Sequence, residues 1–182
     1  MKKIIIVSLL FLFISAGLSA QIFMTRTGQV SFFSKTSVEN IDAVNNEATS
    51  LLNSTTGEMV FAVLIKSFHF ERALMEEHFN ENYMESTKYP KATFKGKITN
   101  LAKIDFKKDG NYEAVVEGEL TLHDVMHKTT TTGTITIANG KVSATATFNI
   151  KLADYRVEIP ALVADKLSKT VDVKVNCGLI QP

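Results

Sequence analysis

The chain has 182 residues, of which 45% are hydrophobic, 21% charged and 9% aromatic. This length predicts a single domain, and the composition is too apolar for a disordered chain and too polar for a protein with several membrane spans. The 20 Lys and Arg residues nearly balance the 19 Asp and Glu residues, so no overall basic field favours nucleic acid as a partner. Cys177 is the one cysteine, which excludes a disulfide scaffold and any all-cysteine metal site within one chain.

Residues 1–20 have the layout of a secretory signal peptide. A positive start is followed by the apolar run Ile4–Ile14 and then by the small residues of Ser15–Ala20. The apolar run is short for a membrane span, which needs about 20 residues. We therefore expect cleavage after this segment and a near-neutral mature domain over residues 21–182 that is periplasmic or secreted.

Regular alternation of apolar and polar residues predicts antiparallel strands through the second half of the chain. The predicted inward-facing sets are Ala92, Phe94, Gly96 and Ile98; Tyr112, Ala114, Val116, Gly118, Leu120 and Leu122; Gly133, Ile135 and Ile137; Val142, Ala144, Ala146, Phe148, Ile150 and Leu152; and Val171, Val173, Val175, Cys177 and Leu179. The first half predicts three less regular strands, over residues 28–37, 41–53 and 57–66. The total is about eight strands.

Turn and helix signals separate these strands. Ser54–Gly57 predicts the turn of a long hairpin, and Asp109–Gly110 and Asn139–Gly140 predict two further tight turns. An amphipathic pattern predicts one main helix near 71–83, and a proline at a first helical turn predicts a short helix near 160–168. The fold class is therefore all-β with a minor helical part, and eight sequential antiparallel strands favour a closed barrel or a sandwich.

The sizes of the inward side chains bear on whether such a barrel is hollow. Small residues such as Gly118 and Ala146 stand where a filled barrel would carry Val, Ile or Leu, while residues such as Phe148 keep the wall apolar. A void lined in this way would bind an apolar chain. The alternative is that the glycines mark bulges and the aromatic rings fill the gaps. Alternation alone leaves both interiors open.

Three passages resemble the YceI-like family. They are Lys66–Met84 (KSFHFERALMEEHFNENYM), Tyr89–Gly96 (YPKATFKG) and Gly118–His123 (GELTLH). In order, they match the family's "SF.F…LM..HF" helix, "YP.A.F" strand and "G.LTLHG" strand, and the resemblance covers residues 28–179. It implies an exported, extended, lipocalin-like antiparallel barrel that encloses a polyisoprenoid chain in an apolar lumen. Asp124 stands where the family commonly has glycine, which predicts a different turn there.

On this interpretation the ligand lies against the apolar wall of the lumen, and no residue is catalytic. The expected ligand-binding residues are Phe61, Val63, Ile65, Phe68, Phe70, Met75, Phe79, Phe94, Gly96, Ala114, Val116, Gly118, Leu120, Ala144, Ala146, Phe148 and Ile150. No cofactor or metal is expected beside the bound isoprenoid or other lipid. We also expect transient contact with a membrane surface. The ligand headgroup and the oligomeric state stay open.

Other chemistry has little support in the sequence. His123 and His127 are four residues apart but flank a connection between strands, and no carboxylate cluster completes a metal site with them. Nucleophile motifs and glycine-rich phosphate loops are missing from the sequence. Cys177 lies on an apolar inner face, where a thiol behaves as a small hydrophobe. A lysine cluster has two open interpretations, an anionic headgroup or membrane contact and a solvated strand face; its members are Lys88, Lys91, Lys95 and Lys97.

The sequence therefore predicts a non-enzymatic binding protein of the cell envelope, which stores or carries a long-chain isoprenoid or similar amphiphile. The alternative is a secreted stress or interaction protein with a filled barrel and no lipid ligand. A third hypothesis is a hydrolase or isomerase that acts on a lipid, although no sequence feature favours it.

Overall fold

A computed structural model describes residues 21–161 and 166–182, and within them the chain forms nine strands and one α-helix. The strands are β1 (Ile22–Lys35), β2 (Asn40–Asn53), β3 (Glu58–Leu64), β4 (His69–Phe70), β5 (Lys91–Ile98), β6 (Gly110–Leu122), β7 (Val125–Ala138), β8 (Lys141–Lys151) and β9 (Thr170–Leu179). Helix α1 (Ala73–His78) continues into a π-helical turn over Phe79–Tyr83. Short 3-10 turns occupy Ile65–Ser67, Leu101–Lys103 and Leu152–Tyr155.

Eight of these strands close into an antiparallel barrel. Neighbouring strands follow the order β1-β9-β8-β7-β6-β5-β3-β2, and β2 pairs back onto β1 to complete the ring. The two-residue strand β4 adds to the start of β2. Closure gives each of the eight strands two neighbours, which removes the exposed edges of an open sheet. The predicted all-β fold with about eight antiparallel strands in a barrel is confirmed.

Strand β1 begins at Ile22, earlier than the predicted range 28–37. The sequence pattern did not indicate this first part because a β-bulge interrupts the alternation. The register with β2 shifts on both sides of Gly28, so the buried residues of β1 include Phe23, Thr25 and Val30 rather than one unbroken alternating set. Strand β7 also begins earlier than its apolar alternation indicated. Its first half carries threonines at positions that pair with β6, so the apolar pattern appears only from Gly133 onward.

Most of the predicted turns are confirmed. Gly57 has φ +77° in the β2–β3 connection, and Asn139–Gly140 has φ values of 50° and 73° between β7 and β8. These are the left-handed conformations that tight hairpins require. A similar turn joins β6 to β7 at His123–Asp124, where the φ values are 51° and 59°. Asp124 therefore adopts the left-handed conformation without being glycine, and the strand resumes at Val125.

The hairpin predicted at Asp109–Gly110 is wrong. Gly110 is already the first residue of β6, and the β5–β6 connection is a longer segment that contains the Leu101–Lys103 turn and buries Ile104. The carboxylate of Asp109 instead accepts hydrogen bonds of 3.1 Å from the backbone N–H of Asn139. The Asp-Gly pair thus serves a contact between two loops at one end of the barrel.

The main predicted helix, near 71–83, is confirmed as α1 and its π-helical continuation. The short helix predicted near 160–168 falls across residues 162–165, which lie outside the described residues, as does the predicted signal peptide over 1–20. In the described part of the chain, helices long and apolar enough to cross a membrane are not found.

The two ends of the barrel differ in how they are filled. At one end, which we call the closed end, a buried cluster plugs the interior, and the ring of Phe23 stacks on that of Phe106 with centroids 5.8 Å apart. Other members of this plug are Leu52, Ile98, Ile104, Ile137, Val142, Cys177 and Leu179. The opposite end, the cap end, carries α1 and the π-helical turn. This asymmetry leaves space only toward the cap end.

Cys177 provides a test of the closed end. The thiol is fully buried, and burial raises its pKa from 9.0 to about 11. We expect a thiol reagent at pH 8 to label the denatured protein rapidly and the folded protein slowly. Because the folded thiol keeps its proton at a pH where the unfolded thiol has lost it, the free energy of unfolding should also fall as the pH rises from 9 to about 11.

The control for this pH dependence is Cys177→Ala, which removes the thiol and should make the loss of stability between pH 9 and about 11 smaller than in the wild type. Labelling of the folded protein at the same rate as the denatured protein would show that the closed end is not packed as described.

Candidate functional site

A cavity of about 560 Å³ occupies the barrel interior between the plug and the cap end. Its deepest lining residues belong to the same buried cluster as the plug and are Met59, Ala114, Ile135 and Ala144. At the other end the lining reaches the β1–β2 turn and α1, through Glu39, Arg72 and Leu74. The cavity volume lies within the range of about 300–1,000 Å³ that is usual for small-molecule sites.

Alanines on three strands explain why the interior is not filled. Ala92 on β5, Ala114 on β6, and Ala144 and Ala146 on β8 all line the cavity. A Val, Ile or Leu at these positions would extend into the space that the alanines leave empty. Aromatic and branched side chains from neighbouring positions, such as Phe148, make most of the remaining wall apolar, and Thr129 and Thr131 of β7 also line it.

Fifteen of the seventeen residues predicted to line the lumen do line this cavity. They are Phe61, Val63, Ile65, Phe68, Phe70, Met75, Phe79, Phe94, Ala114, Val116, Leu120, Ala144, Ala146, Phe148 and Ile150. The alternation of the strands and the helix pattern therefore place these side chains together. Their contact with a ligand stays a prediction.

Gly96 and Gly118 are corrections, because they are not part of the cavity lining. They pair directly across β5 and β6, and the ring of Phe94 lies over both of them. A Cβ built at Gly96 would be 2.4 Å from Cζ of Phe94, and one built at Gly118 would be 2.6 Å from the same atom. The missing side chains therefore make room for an aromatic ring of the wall and not for a ligand. At these two positions the alternative interpretation, in which aromatic rings fill the gaps, applies.

Part of the wall was not among the predicted site residues. Strands β1 and β9 contribute Val30, Phe32, Val171, Val173 and Val175. Ring closure brings these first and last strands of the domain to the same interior as the middle ones. The alternation of β9 could have identified its three valines as lining residues. In β1 the bulge at Gly28 interrupts the alternation, so the sequence pattern did not identify Val30 and Phe32.

An aromatic cluster holds the helical segment against the barrel. Phe79 packs on Phe32, Phe68 and Phe70 with ring centroids 5.5, 5.7 and 5.0 Å apart. The π-helical turn sets the position of Phe79, whose carbonyl accepts a hydrogen bond of 2.9 Å from the N–H of Met84. Because every residue of α1 is at least partly exposed, this cluster is the main attachment of the helix.

The mouth of the cavity is polar at its rim. Arg72, just before α1, forms an ion pair with Glu39 of the β1–β2 turn, and both side chains line the cavity together with Lys166. Leu74 also lines the mouth and is 60% exposed. Burial raises the pKa of the Tyr83 hydroxyl, which also lines the cavity. An apolar interior with a charged rim suits a molecule with an apolar chain and a polar end.

The two histidines of the β6–β7 region contact backbone carbonyls. A ring nitrogen of His123 lies 3.2 Å from the carbonyl oxygen of Tyr155, and one of His127 lies 2.7 Å from that of Asp154. They thereby tie the Leu152–Tyr155 turn to the β6–β7 hairpin. Across residues 21–161 and 166–182, no three His, Cys, Asp or Glu side chains are grouped to hold a metal ion.

The lysine cluster lies on the outside of the barrel. Lys95 and Lys97 are exposed on β5 and stand opposite Glu119 and Glu117 of β6. Lys88 lies 3.6 Å from a carboxylate oxygen of Glu85. These acidic neighbours make the face a mixed-charge surface, which favours the solvated-face interpretation.

The Gly96–Gly118 pair generates a stability prediction. Gly118→Ala would place a Cβ 2.4 Å from the Lys95 carbonyl oxygen and 2.6 Å from Phe94, so the strands or the ring must shift. We expect the free energy of unfolding to fall by about 1–3 kcal/mol, measured by chemical denaturation. The matched control is Gly178→Ala on β9, whose Cβ would have no heavy atom within 4 Å. Equal stability of the two variants would contradict the packing described for Phe94.

Comparisons with known proteins agree with this architecture. The family model of the YceI-like domain matches residues 17–179. A polyisoprenoid binding domain from Saccharophagus degradans, implicated in plant cell wall breakdown, superposes with a TM-score of 0.77 at 18% identity, over 90% of this chain and 99% of that one. BcnA of Burkholderia cenocepacia gives a TM-score of 0.70 at 15% identity, over 85% and 96% of the two chains.

The Campylobacter jejuni YceI protein gives a TM-score of 0.59 at 17% identity, over 81% of this chain and 88% of that one. A search of curated proteins finds no match. At these identities the solved structures show the fold, and the family model covers nearly the whole barrel. The chain belongs to the YceI-like family.

Proposed function

We propose that this protein binds an amphiphilic lipid, a long-chain isoprenoid or a similar molecule, inside the barrel, in order to store it or carry it between membranes. The observation that carries the proposal is the apolar cavity of about 560 Å³ with a charged rim. The polyisoprenoid-binding description of the Saccharophagus degradans relative supports this choice of ligand. An isoprenoid chain would lie along the apolar wall, with its polar end at the mouth.

The affinity would come from many weak contacts spread along the chain. Removal of apolar surface from water contributes about 25 cal/mol per Å², so a chain that is covered on all sides gains substantial free energy without any hydrogen bond. Such binding is tolerant of chemical detail, because each wall residue contributes little. Storage and transport require a ligand that is held but can leave, which suits this mode of binding.

Binding is a better-supported activity than catalysis. The deep part of the cavity is walled by alanines and by Met59 and Ile135, whereas the charged lining groups lie at the mouth. A hydrolase or isomerase would need a nucleophile or a general acid and base beside the reacting bond. The alternative of a filled barrel without a ligand is less well supported, because the alanines leave a continuous void.

We also propose that the protein is exported to the periplasm or secreted, on the basis of the signal-peptide pattern over residues 1–20. An envelope location would place the barrel beside membranes that contain isoprenoid lipids, with which the mouth would make transient contact. Intact-mass measurement of protein recovered from the envelope fraction should give a mature chain that begins at Gln21 or within a few residues of it. Retention of Lys2 and Lys3 would contradict export by this route.

Filling the cavity tests the binding proposal. Ala146→Phe on β8 would extend a ring into the cavity, so lipid that co-purifies with the protein should fall at least several-fold in organic extracts analysed by mass spectrometry. The cost in stability should be about 1–3 kcal/mol, which leaves a folded barrel. Circular dichroism and thermal unfolding would verify that the variant is folded.

The matched control is Ala62→Phe, the same substitution on the outer face of β3, between the exposed residues Val60 and Leu64. This variant should keep the lipid content of the wild type. Unchanged lipid in Ala146→Phe, or no lipid in wild-type protein from cells that make isoprenoids, would overturn the proposal.

A further inference from the structure

Strand β3 is apolar on both of its faces, unlike the strands with strict alternation. Its inward residues line the cavity, and its outward residues after Glu58 are Val60, Ala62 and Leu64. Val60 and Leu64 are 39% and 42% exposed. A strand with one solvated face alternates apolar and polar residues, whereas a strand that is covered on both sides is apolar throughout. The sequence of β3 therefore indicates that another surface covers its outer face.

The apolar surface continues from Val60 across the neighbouring strands. Val60 pairs with Leu51 of β2, and Leu51 pairs with Met24 of β1. Met24 in turn forms a bridge to Ile180, which follows β9 and is 68% exposed. Paired residues point to the same face of a sheet, so these side chains form one row on the outside of the barrel. The outer patch, as we call it, consists of Val60, Ala62, Leu64, Leu51, Met24 and Ile180. A contiguous apolar set of this kind marks an interaction site, whereas scattered apolar residues do not.

The outer patch has the shape of an L, with Val60 at the corner and two arms of similar length. The arm across the strands ends at Ile180, three strand spacings of about 4.8 Å away, or roughly 14 Å. The arm along β3 ends at Leu64, four residues of about 3.4 Å away, or again roughly 14 Å. A two-fold axis through Val60, along the bisector of the corner, exchanges the two arms. A second copy of the chain can therefore lay each of its arms over the other arm of the first copy.

The charges beside the corner follow the same symmetry. Glu58 precedes Val60 on the outer face of β3, and Lys95 of β5 pairs with Val60 on the side away from β2. Both side chains are exposed, and within residues 21–161 and 166–182 neither forms a salt bridge. The axis that exchanges the arms brings Glu58 of each copy opposite Lys95 of the other. Two ion pairs would then flank the apolar corner and fix the orientation of the two copies.

A membrane surface fits the outer patch less well than a second copy does. Attraction to an anionic bilayer needs a positive surface beside the apolar residues. Lys95 and Lys97 stand opposite Glu119 and Glu117 of β6, and Glu58 places another carboxylate at the corner. A surface that meets its own copy needs both signs of charge, because a single sign would meet itself. The outer patch is bordered by both signs.

We propose that the outer patch is a homodimer interface, in which two barrels pack side by side about a two-fold axis at Val60. The inference is independent of the proposed lipid ligand, because the outer patch lies on the outside of the barrel wall. A square with sides of about 14 Å covers only roughly 200 Å², whereas a standard interface takes about 800 Å² from each partner. The outer patch is thus the apolar core of a contact with a polar rim, and we expect a dissociation constant in the micromolar range.

Charge reversal tests the arrangement, with the dissociation constant measured by sedimentation velocity on the mature protein. Glu58→Lys would set two lysines opposite each other and Lys95→Glu two carboxylates, so each variant alone should dimerise roughly tenfold more weakly than the wild type. A mixture of the two variants should form heterodimers of near wild-type affinity, because every contact then joins opposite charges. The control is Glu113→Lys, the same charge change on an exposed residue of β6 outside the outer patch, which should dimerise like the wild type.

A cross-linking experiment tests the position of the axis. Cys177 is the one native cysteine and is buried, so Val60→Cys introduces a single exposed thiol. Two such thiols beside the axis should oxidise to a disulfide-linked dimer at least several-fold faster than those of Thr132→Cys, on the exposed outer face of β7. Equal rates would contradict an axis at Val60.

The remaining outcomes decide whether the interface exists. Protein that stays monomeric up to about 300 µM would overturn the proposal, and so would a mixture of the charge variants that associates no better than either variant alone. Monomeric protein that binds phosphatidylglycerol vesicles, with binding lost in Val60→Asn, would assign the outer patch to a membrane and overturn the dimer. Dimers that form with rising concentration and are restored in the mixture would establish the interface.

Discussion

The closure of eight strands into one ring is the constraint on which the other features of this protein depend. Once β2 pairs back onto β1, every inward side chain of the barrel points into a single shared interior. The sum of those side-chain volumes then decides how much space is left, since the ring fixes the radius within narrow limits. The chain places large residues at the closed end and alanines in the middle, so the same ring is solid at one end and hollow toward the other.

The helical segment completes the site because it covers the hollow end without filling it. Its attachment by Phe79 to the rings of Phe32, Phe68 and Phe70 lies beside the cavity mouth, and the Arg72–Glu39 ion pair links it to the β1–β2 turn. Elsewhere Glu76 of α1 accepts a hydrogen bond of 3.2 Å from the Phe70 N–H of β4, and no residue of α1 is buried. Elements with few buried contacts are those that open at low cost in free energy. If the protein binds a lipid as proposed, we expect the ligand to enter beside α1, where the attachment is local, and not through the plug.

Much of this architecture could be predicted from the sequence, because successive side chains of a strand point to opposite faces and this period of two can be recognised residue by residue. The inward sets of β5, β6, β8 and β9 follow from it directly. Where alternation fails, the prediction failed for a physical reason: the bulge at Gly28 shifts the inward face of β1, and threonines hide the first half of β7. Asp109–Gly110 shows that a dipeptide typical of tight turns can instead make a contact between two loops.

The interior was harder to predict than the wall. Alternation states which way Gly96 and Gly118 face, but it does not state which neighbour occupies the space that they leave. Phe94 occupies it, whereas Ala146 lines the cavity, and only the three-dimensional packing distinguishes the two cases. The end of the cavity at Met59 and Ile135 likewise depends on the plug behind them, which is assembled from six strands and the β5–β6 connection.

A crystal structure of the mature protein after incubation with geranylgeraniol would decide whether the barrel interior is the lipid site. We expect continuous density for a single chain inside the barrel, from Met59 and Ile135 at the deep end to Leu74 at the mouth, with the alanines of β8 in contact with it. An interior closed by rearranged side chains, with the prenol absent or bound on the outer surface, would show that the barrel is not the binding site.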